Sequence, residues 1–403
     1  MRKRDFIITG LQPWDVPIGS NAKDIALEIS KQNRVLYINT PLDKKTFLKE
    51  RNSDSPDYLQ RYNVVKGKAP VLRQISASLW VMDYPFTIWP GNFLPDGKLF
   101  DWVNRLNNRR MYQFVKKIIK KIGFNNYLLF IDNDIYRSFY AAEYLKPTFS
   151  IYYRRDNMTS AFWRKHAPRL EPKLCQKSDL VTANSLQLAE AVHSYNQHSY
   201  DIGQGVDLSN YNINNNYPFP KDMVNIPHPI IGYVGWITSL RLDADLLYQV
   251  ASRCPQYSFV MVGSEDDFFK KHSLHSLNNV YFLGQKKQID TISYMAHFDV
   301  CMNPQLINKI TIGNYPRKVD EYLALGKPVV ATRTDTMQIF EGFVWNCIGK
   351  EEYLYAIGKA LSETNDYDKQ QKRIAFAHTH NWSNSVNKLY KAIIEKTTSY
   401  GTN

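Results

Sequence analysis

The 403-residue chain has only four cysteines, Cys175, Cys254, Cys301 and Cys347, with no Cys-x-x-Cys pair and no histidine at ligand spacing. A zinc site or disulfide framework is therefore not expected, and a reducing compartment suits the chain. No apolar run approaches the ~20 residues that a membrane-spanning helix needs. The basic start MRKRDFIITGLQPWD has an apolar stretch only at residues 6–8, too short for a signal-peptide core. A soluble, cytoplasmic protein is the expectation. No repeat of about 20–50 residues is visible, which argues against a solenoid. With 44% hydrophobic and 22% charged residues, the composition excludes a wholly disordered or fibrous chain. The length favours two domains.

Acidic residues are outnumbered, and unevenly. The net charge is +13. Residues 1–205 carry 31 Lys and Arg against 19 Asp and Glu, a net +12, while the remainder carries 20 against 19. A basic half joined to a neutral half suggests that one half meets an anionic partner. Nucleic acid, anionic lipid and phosphorylated small molecules all satisfy that condition.

Apolar runs alternate with helical patterns along the chain, as in βα units around parallel sheets. Strands are predicted at residues 5–9, 34–39, 78–83, 127–131, 150–153 and 180–183, and a helix at 21–31. Residues 207–229, rich in Asn and Pro, read as a linker or long surface loop. The alternation restarts with strands at 230–234, 258–262, 280–283, 299–302 and 328–332. Helices are predicted at 243–252, 289–296 and 317–324. The predicted fold is α/β, with two doubly wound Rossmann-like domains facing across a cleft. Their limits are 1–205 and 206–375, with a C-terminal helical segment at 376–403.

The most specific segment is NYPRKVDEYLALGKPVVAT at residues 314–332. Pro316 suits an early helical position. Lys318 then falls in the first turn, where free backbone N–H groups already favour an anion. Glu321 follows one turn later on an adjacent position. A helix N-terminus with a lysine suits a diphosphate, and a nearby carboxylate suits ribose hydroxyls. Spacing alone fits an ordinary charged surface helix equally well.

Lys-x-x-Glu-Tyr-Leu-Ala-x-Gly-Lys-Pro-Val-Val at 318–330 resembles the donor-site helix of GT-B glycosyltransferases of the retaining family-4-like group. Other segments fall in that family's order: SDLVTAN at 178–184, GVD at 205–207, GYVGWI at 232–237, FVMVG at 259–263, NVYFLG at 279–284, Asp299 with Pro304, and NWSNSVNKL at 381–389. The resemblance covers residues 178–390 well and residues 5–177 loosely. It implies a retaining, metal-independent glycosyltransferase without a cofactor, using a UDP- or GDP-sugar as donor. It also implies that Glu321 binds the donor ribose, that Lys318 or the adjacent backbone meets the diphosphate, that Gly235 lets the nucleotide approach the main chain, and that the final helix crosses back to the first domain. Gly19, in the loop after the first strand, would either offer backbone N–H groups to the same diphosphate or serve only in a strand-to-helix connection. Two departures stand out. The position eight residues before Glu321, a sugar-contacting Glu in many relatives, is Gly313, and the usual Arg/Lys pair after the glycine turn is reduced to Arg241. Arg241 and Arg317 are candidates for the missing positive charge.

The first half supplies weaker signals. Asp132-Asn133-Asp134 looks like the DxD metal motif of the other large glycosyltransferase fold, and Arg154-Arg155-Asp156 occupies a similar place after the next strand. Asp132, Asp134 and Asp156 are therefore catalytic candidates, with carboxylates paired to loop arginines as the plainer alternative. No metal is expected. The helix at 109–122 has an apolar stripe opposite Lys116, Lys117, Lys120 and Lys121, read as either a solvated face or a patch for an anionic membrane and a lipid-linked acceptor. A bacterial surface-polysaccharide glycan is the expected acceptor, met at the inner membrane face. Twenty-seven tyrosines among the lysines suggest RNA, but no RRM, KH or OB signature accompanies them. A non-catalytic nucleotide- or glycan-binding protein and a nucleic-acid-binding protein remain the alternatives. His378 and His380 suit capping or packing, and Asn157-Met158-Thr159 is a glycosylation sequon only in a secreted protein.

Overall fold

A computed structural model describes residues 3–16, 19–50, 53–158 and 163–399. Thr159 of the sequon lies outside them. The chain divides into two compact units, Met1–Gly203 with Ser385–Asn403, and Gln204–Asn384.

The first unit is built on an eight-stranded sheet. Its strands are β1 (Asp5–Thr9), β2 (Arg34–Ile38), β3 (Leu72–Ser76), β4 (Leu79–Met82), β5 (Leu128–Asp132), β6 (Phe149–Arg154), β7 (Leu180–Ala183) and β8 (Ser199–Asp201). They lie in the order β3-β4-β2-β1-β5-β6-β7-β8, parallel except where β3 runs against β4. The central strands DFIIT and LLFID are buried throughout, as parallel strands covered on both faces must be. Strand order reverses between β1 and β5, so the loops leaving those two strands diverge and leave a crevice at their carboxyl ends. The C-terminal helix Trp382–Ser399 returns to this unit, with Tyr390 receiving a hydrogen bond from Asn33 at 2.8 Å.

The second unit holds six parallel strands: β9 (Ile230–Val234), β10 (Ser258–Val262), β11 (Val280–Phe282), β12 (Val300–Asn303), β13 (Val329–Thr332) and β14 (Trp345–Cys347). Their order is β11-β10-β9-β12-β13-β14, with the reversal between β9 and β12. The helix Arg317–Ala324 connects β12 to β13, which sets it beside that switch point.

Three expectations need correction. The segment 207–229 is not a free linker, because Leu208, Tyr211, Met223 and Ile226 are buried in the second unit's core. The helix predicted at 109–122 begins eleven residues earlier, at Lys98. β3, β8 and β14 were not predicted. Their sequences LRQIS, SYD and WNC lack the apolar run that marks a buried strand, and each lies at a sheet edge.

Candidate functional site

In the second unit, the turn after β9 and the turn after β10 meet backbone to backbone. The Gly235 amide donates to the Val262 carbonyl at 2.9 Å, and a Cβ built on Gly263, at φ +153°, would lie 1.8 Å from the Gly235 carbonyl oxygen. Gly263→Ala is therefore expected to cost about 1–3 kcal/mol of stability through overpacking, measured by denaturant unfolding. Gly235 has φ +149°, and its missing Cβ faces Lys318, whose Nζ would lie 2.5 Å from it.

Lys318 is fixed there by Tyr233, two residues before the turn on β9. Its ammonium donates to the Tyr233 hydroxyl at 2.5 Å and lies 3.9 Å from the ring centroid. The helix carrying Lys318 is tied to the same strand, because the Val234 amide donates to the buried Tyr322 hydroxyl at 3.0 Å. A cation, a helix N-terminus and a glycine turn thus converge at the carboxyl end of β9. That combination favours a phosphate group.

Glu321, one turn along, is half-buried. Burial pushes its carboxyl above the ordinary carboxylate range, while Arg317, Lys318 and the Tyr211 hydroxyl pull it down. Tyr211 comes from the segment that reads as a linker, so sequence spacing gave no signal for it. Arg317 Nε has no hydrogen-bond partner among the described residues. Arg241 is exposed in the loop after β9 and joins no ion pair among the described residues. That loop is held on both sides. The Arg241 and Leu240 carbonyls accept from the Leu306 amide and Asn308 Nδ2, while Asp266 accepts from the Ser239 amide and hydroxyl and from Thr238. Although burial raises it, Asp266 is held down at about 2 by these hydrogen bonds and one from Phe269.

Gly313 is buried with φ +78°. A side chain there would be strained, so the Glu of many relatives does not fit this backbone without a change of loop path. Beneath the helix, Asp320 is fully buried and pairs with His380 Nδ1 at 2.7 Å. His380 sits edge-on to Phe340, Phe376 and Tyr315. This pair anchors the helix from below, and only the packing reading of His380 foreshadows it.

In the first unit the acidic candidates serve other partners. Asp132 is fully buried and accepts from the Leu11 amide at 3.0 Å and Arg155 Nε at 2.8 Å. Burial raises its carboxyl even against Arg155. Asp134 accepts from the Tyr136 and Arg137 amides and from Arg137 Nε, capping its own loop. Asp156 is half-exposed, with Arg155 Nη1 at 3.4 Å. The geometry is thus that of carboxylates paired with neighbouring arginines. Among the described residues no three His, Cys, Asp or Glu side chains gather as a metal site would require. Gly19 is exposed, just before the buried N-cap Ser20 of the helix Asn21–Ser30. Lys116, Lys117, Lys120 and Lys121 are all exposed on the helix Lys98–Ile122. A separate cavity of about 370 Å³ opens among the loops after β2, β4 and β5, lined by Lys45, Lys49, Trp89, Phe93, Tyr136 and Arg137.

Residues 228–361 match the family model described as Glycosyl transferases group 1. Over 255 residues the chain is 25% identical to the putative teichuronic acid biosynthesis glycosyltransferase TuaH of Bacillus subtilis strain 168, a match covering 60% of this chain and 62% of that relative. Among solved structures, a sucrose-phosphate synthase from Thermosynechococcus elongatus superposes with TM-score 0.62 at 15% identity, covering 98% of this chain and 100% of that one. Anabaena Alr3699/HepE, in complex with UDP and glucose, gives TM-score 0.62 at 16% identity, covering 97% and 100%. These likenesses agree with the family resemblance of the 178–390 motifs. The matched residues 228–361 lie in the second unit, and the chain shares the GT-B fold.

Proposed function

We propose that the chain is a glycosyltransferase that moves a sugar from a UDP- or GDP-sugar to a glycan acceptor in bacterial surface-polysaccharide synthesis. The observation that carries this reading is Lys318, held by Tyr233 against the Gly235 turn at the N-terminus of the helix beside the β9/β12 switch point. The names of the B. subtilis relative and of the UDP-bound Anabaena structure support the acceptor class and the donor class respectively.

In the proposed reaction the bond between the sugar's anomeric carbon and the diphosphate breaks while positive charge spreads over the sugar ring. Negative charge develops on the departing diphosphate. Lys318, the helix N-terminus and the exposed Arg241 supply fixed positive potential at that place, so they stabilise the transition state without reorganising. Glu321 accepts hydrogen bonds from the ribose hydroxyls. The proposed chemistry proceeds with retention and without a metal. The acceptor is proposed to be lipid-linked and met at the inner membrane face, its glycan entering the cavity lined by Trp89 and Phe93.

Calorimetric titration with UDP and GDP, each with EDTA, tests the reading. One diphosphate should bind in the micromolar range. Failure of every nucleoside diphosphate to bind would remove it. Glu321→Ala is expected to weaken that binding by roughly 1–3 kcal/mol, the cost of a lost charge-assisted hydrogen bond. The carboxylate is the better acceptor, and burial raises its pKa in the free protein. Affinity should therefore fall as pH is lowered through that raised pKa, and Glu321→Gln should flatten the profile.

A further inference from the structure

The helix Lys98–Ile122 buries one side in the first unit's core, through Phe100, Met111, Tyr112, Val115, Ile118 and Ile119. Its other side is exposed at positions 99, 102, 106, 109, 113, 116, 117 and 120, one continuous face at three- and four-residue spacing. The two ends of that face differ. Its N-terminal half presents Leu99 (52% exposed), Trp102 (62%) and Leu106 (42%), and Phe93, in the loop just before, is 71% exposed. Large apolar side chains clustered in water mark a contact surface. Its C-terminal half presents Lys116, Lys117, Lys120 and Lys121, none of which joins an ion pair among the described residues. The helix carries eight Lys and Arg against one acid, Asp101, which Arg169 holds through two hydrogen bonds.

A second copy of the chain would bring the same positive face against itself. Nucleic acid would satisfy the cations and leave Trp102 and the leucines in water. An anionic lipid surface satisfies both ends, since interfacial helices combine aromatic and leucine anchors with lysines on the headgroups. The helix is about 37 Å long at ~1.5 Å per residue, a footprint that lies in the plane of a bilayer.

We propose that this face docks on an anionic bilayer, with Leu99, Trp102 and Leu106 entering the headgroup region and the four lysines resting on lipid phosphates. The inference rests on the proposed lipid-linked acceptor and deepens it by naming the surface on which that acceptor is met.

The test is sedimentation of the full chain with vesicles of phosphatidylglycerol and phosphatidylcholine. It is read at ~0.1 M salt and at ~1 M, where the screening length shrinks from about 10 Å to about 3 Å. The wild type should bind at both, more weakly at the higher salt. The quadruple variant K116E/K117E/K120E/K121E should lose at least tenfold in affinity at the lower salt, since these basic residues carry the attraction to anionic headgroups. L99S/W102S/L106S should lose at least tenfold at the higher salt while keeping most binding at the lower. Trp102→Ser alone should act in the same direction, and serves as the probe if the triple variant unfolds. Three outcomes overturn the proposal: no wild-type binding to anionic vesicles, unchanged high-salt binding in the serine variants, or salt-steep binding to duplex RNA that those variants retain. The assay contains no nucleotide, so its failure leaves the donor-site titrations standing, and failure of those titrations leaves this result standing.

Discussion

Replacing Lys318 with alanine is expected to lower turnover by roughly 10²–10³-fold, the loss seen when one preorganised donor to a developing anion is removed. Stability should hardly change, because the ammonium is half-buried and its contact is one tyrosine. The physical case rests on preorganisation. Tyr233 and the missing Cβ of Gly235 hold the ammonium in place before a ligand arrives, so little ordering is left for the reaction step. Diphosphate affinity should drop as well, by roughly the 1.5–3 kcal/mol of a charge-assisted hydrogen bond. Steady-state kinetics with a saturating acceptor, beside calorimetry with the nucleoside diphosphate, separates the two effects. A folded variant with unchanged kcat and unchanged diphosphate affinity removes Lys318 from the site.

Asp132→Ala should act in the opposite way, on stability first. Truncating the carboxylate leaves the largely buried Arg155 with only the half-exposed Asp156 at 3.4 Å, and leaves the Leu11 amide without its acceptor. Removing one partner of a buried ion pair costs about 3–5 kcal/mol. The urea midpoint of the first unit's unfolding should fall accordingly. Asp156→Ala, at a half-exposed carboxylate, should stay within about 0.5 kcal/mol. If Asp132 instead served chemistry as half of a metal-binding pair, the variant would stay stable and lose activity. The two measurements together decide between those roles.

Much of the frame was legible because it is locally encoded. The runs DFIIT, YLLFI, IIGYV and SFVMV are too apolar to lie anywhere but in buried strands, and the pattern of RKVDEYLA places Lys318 and Glu321 on one helix. The first three turns of the helix Lys98–Ile122 were not legible. They contain Asn104, Asn107 and Asn108, poor helix formers in isolation. Each is buried, and two of the side chains are spent on distant groups: Asn107 on the Trp89 backbone, Asn108 on Tyr136 and Tyr140. Tertiary hydrogen bonds override local preference there.

By itself the sequence determined the two-sheet α/β plan, the basic first half and the order of motifs that carries the family resemblance. Periodicity, charge and turn residues are properties of neighbours along the chain, so they survive in one dimension. Tertiary structure alone decided which groups meet. Lys318 finds Tyr233 from 85 residues away, Asp132 finds Leu11 from 121, and Asp320 finds His380 from 60. A side chain's partner depends on strand order and burial, and neither is written in the spacing of the residues around it.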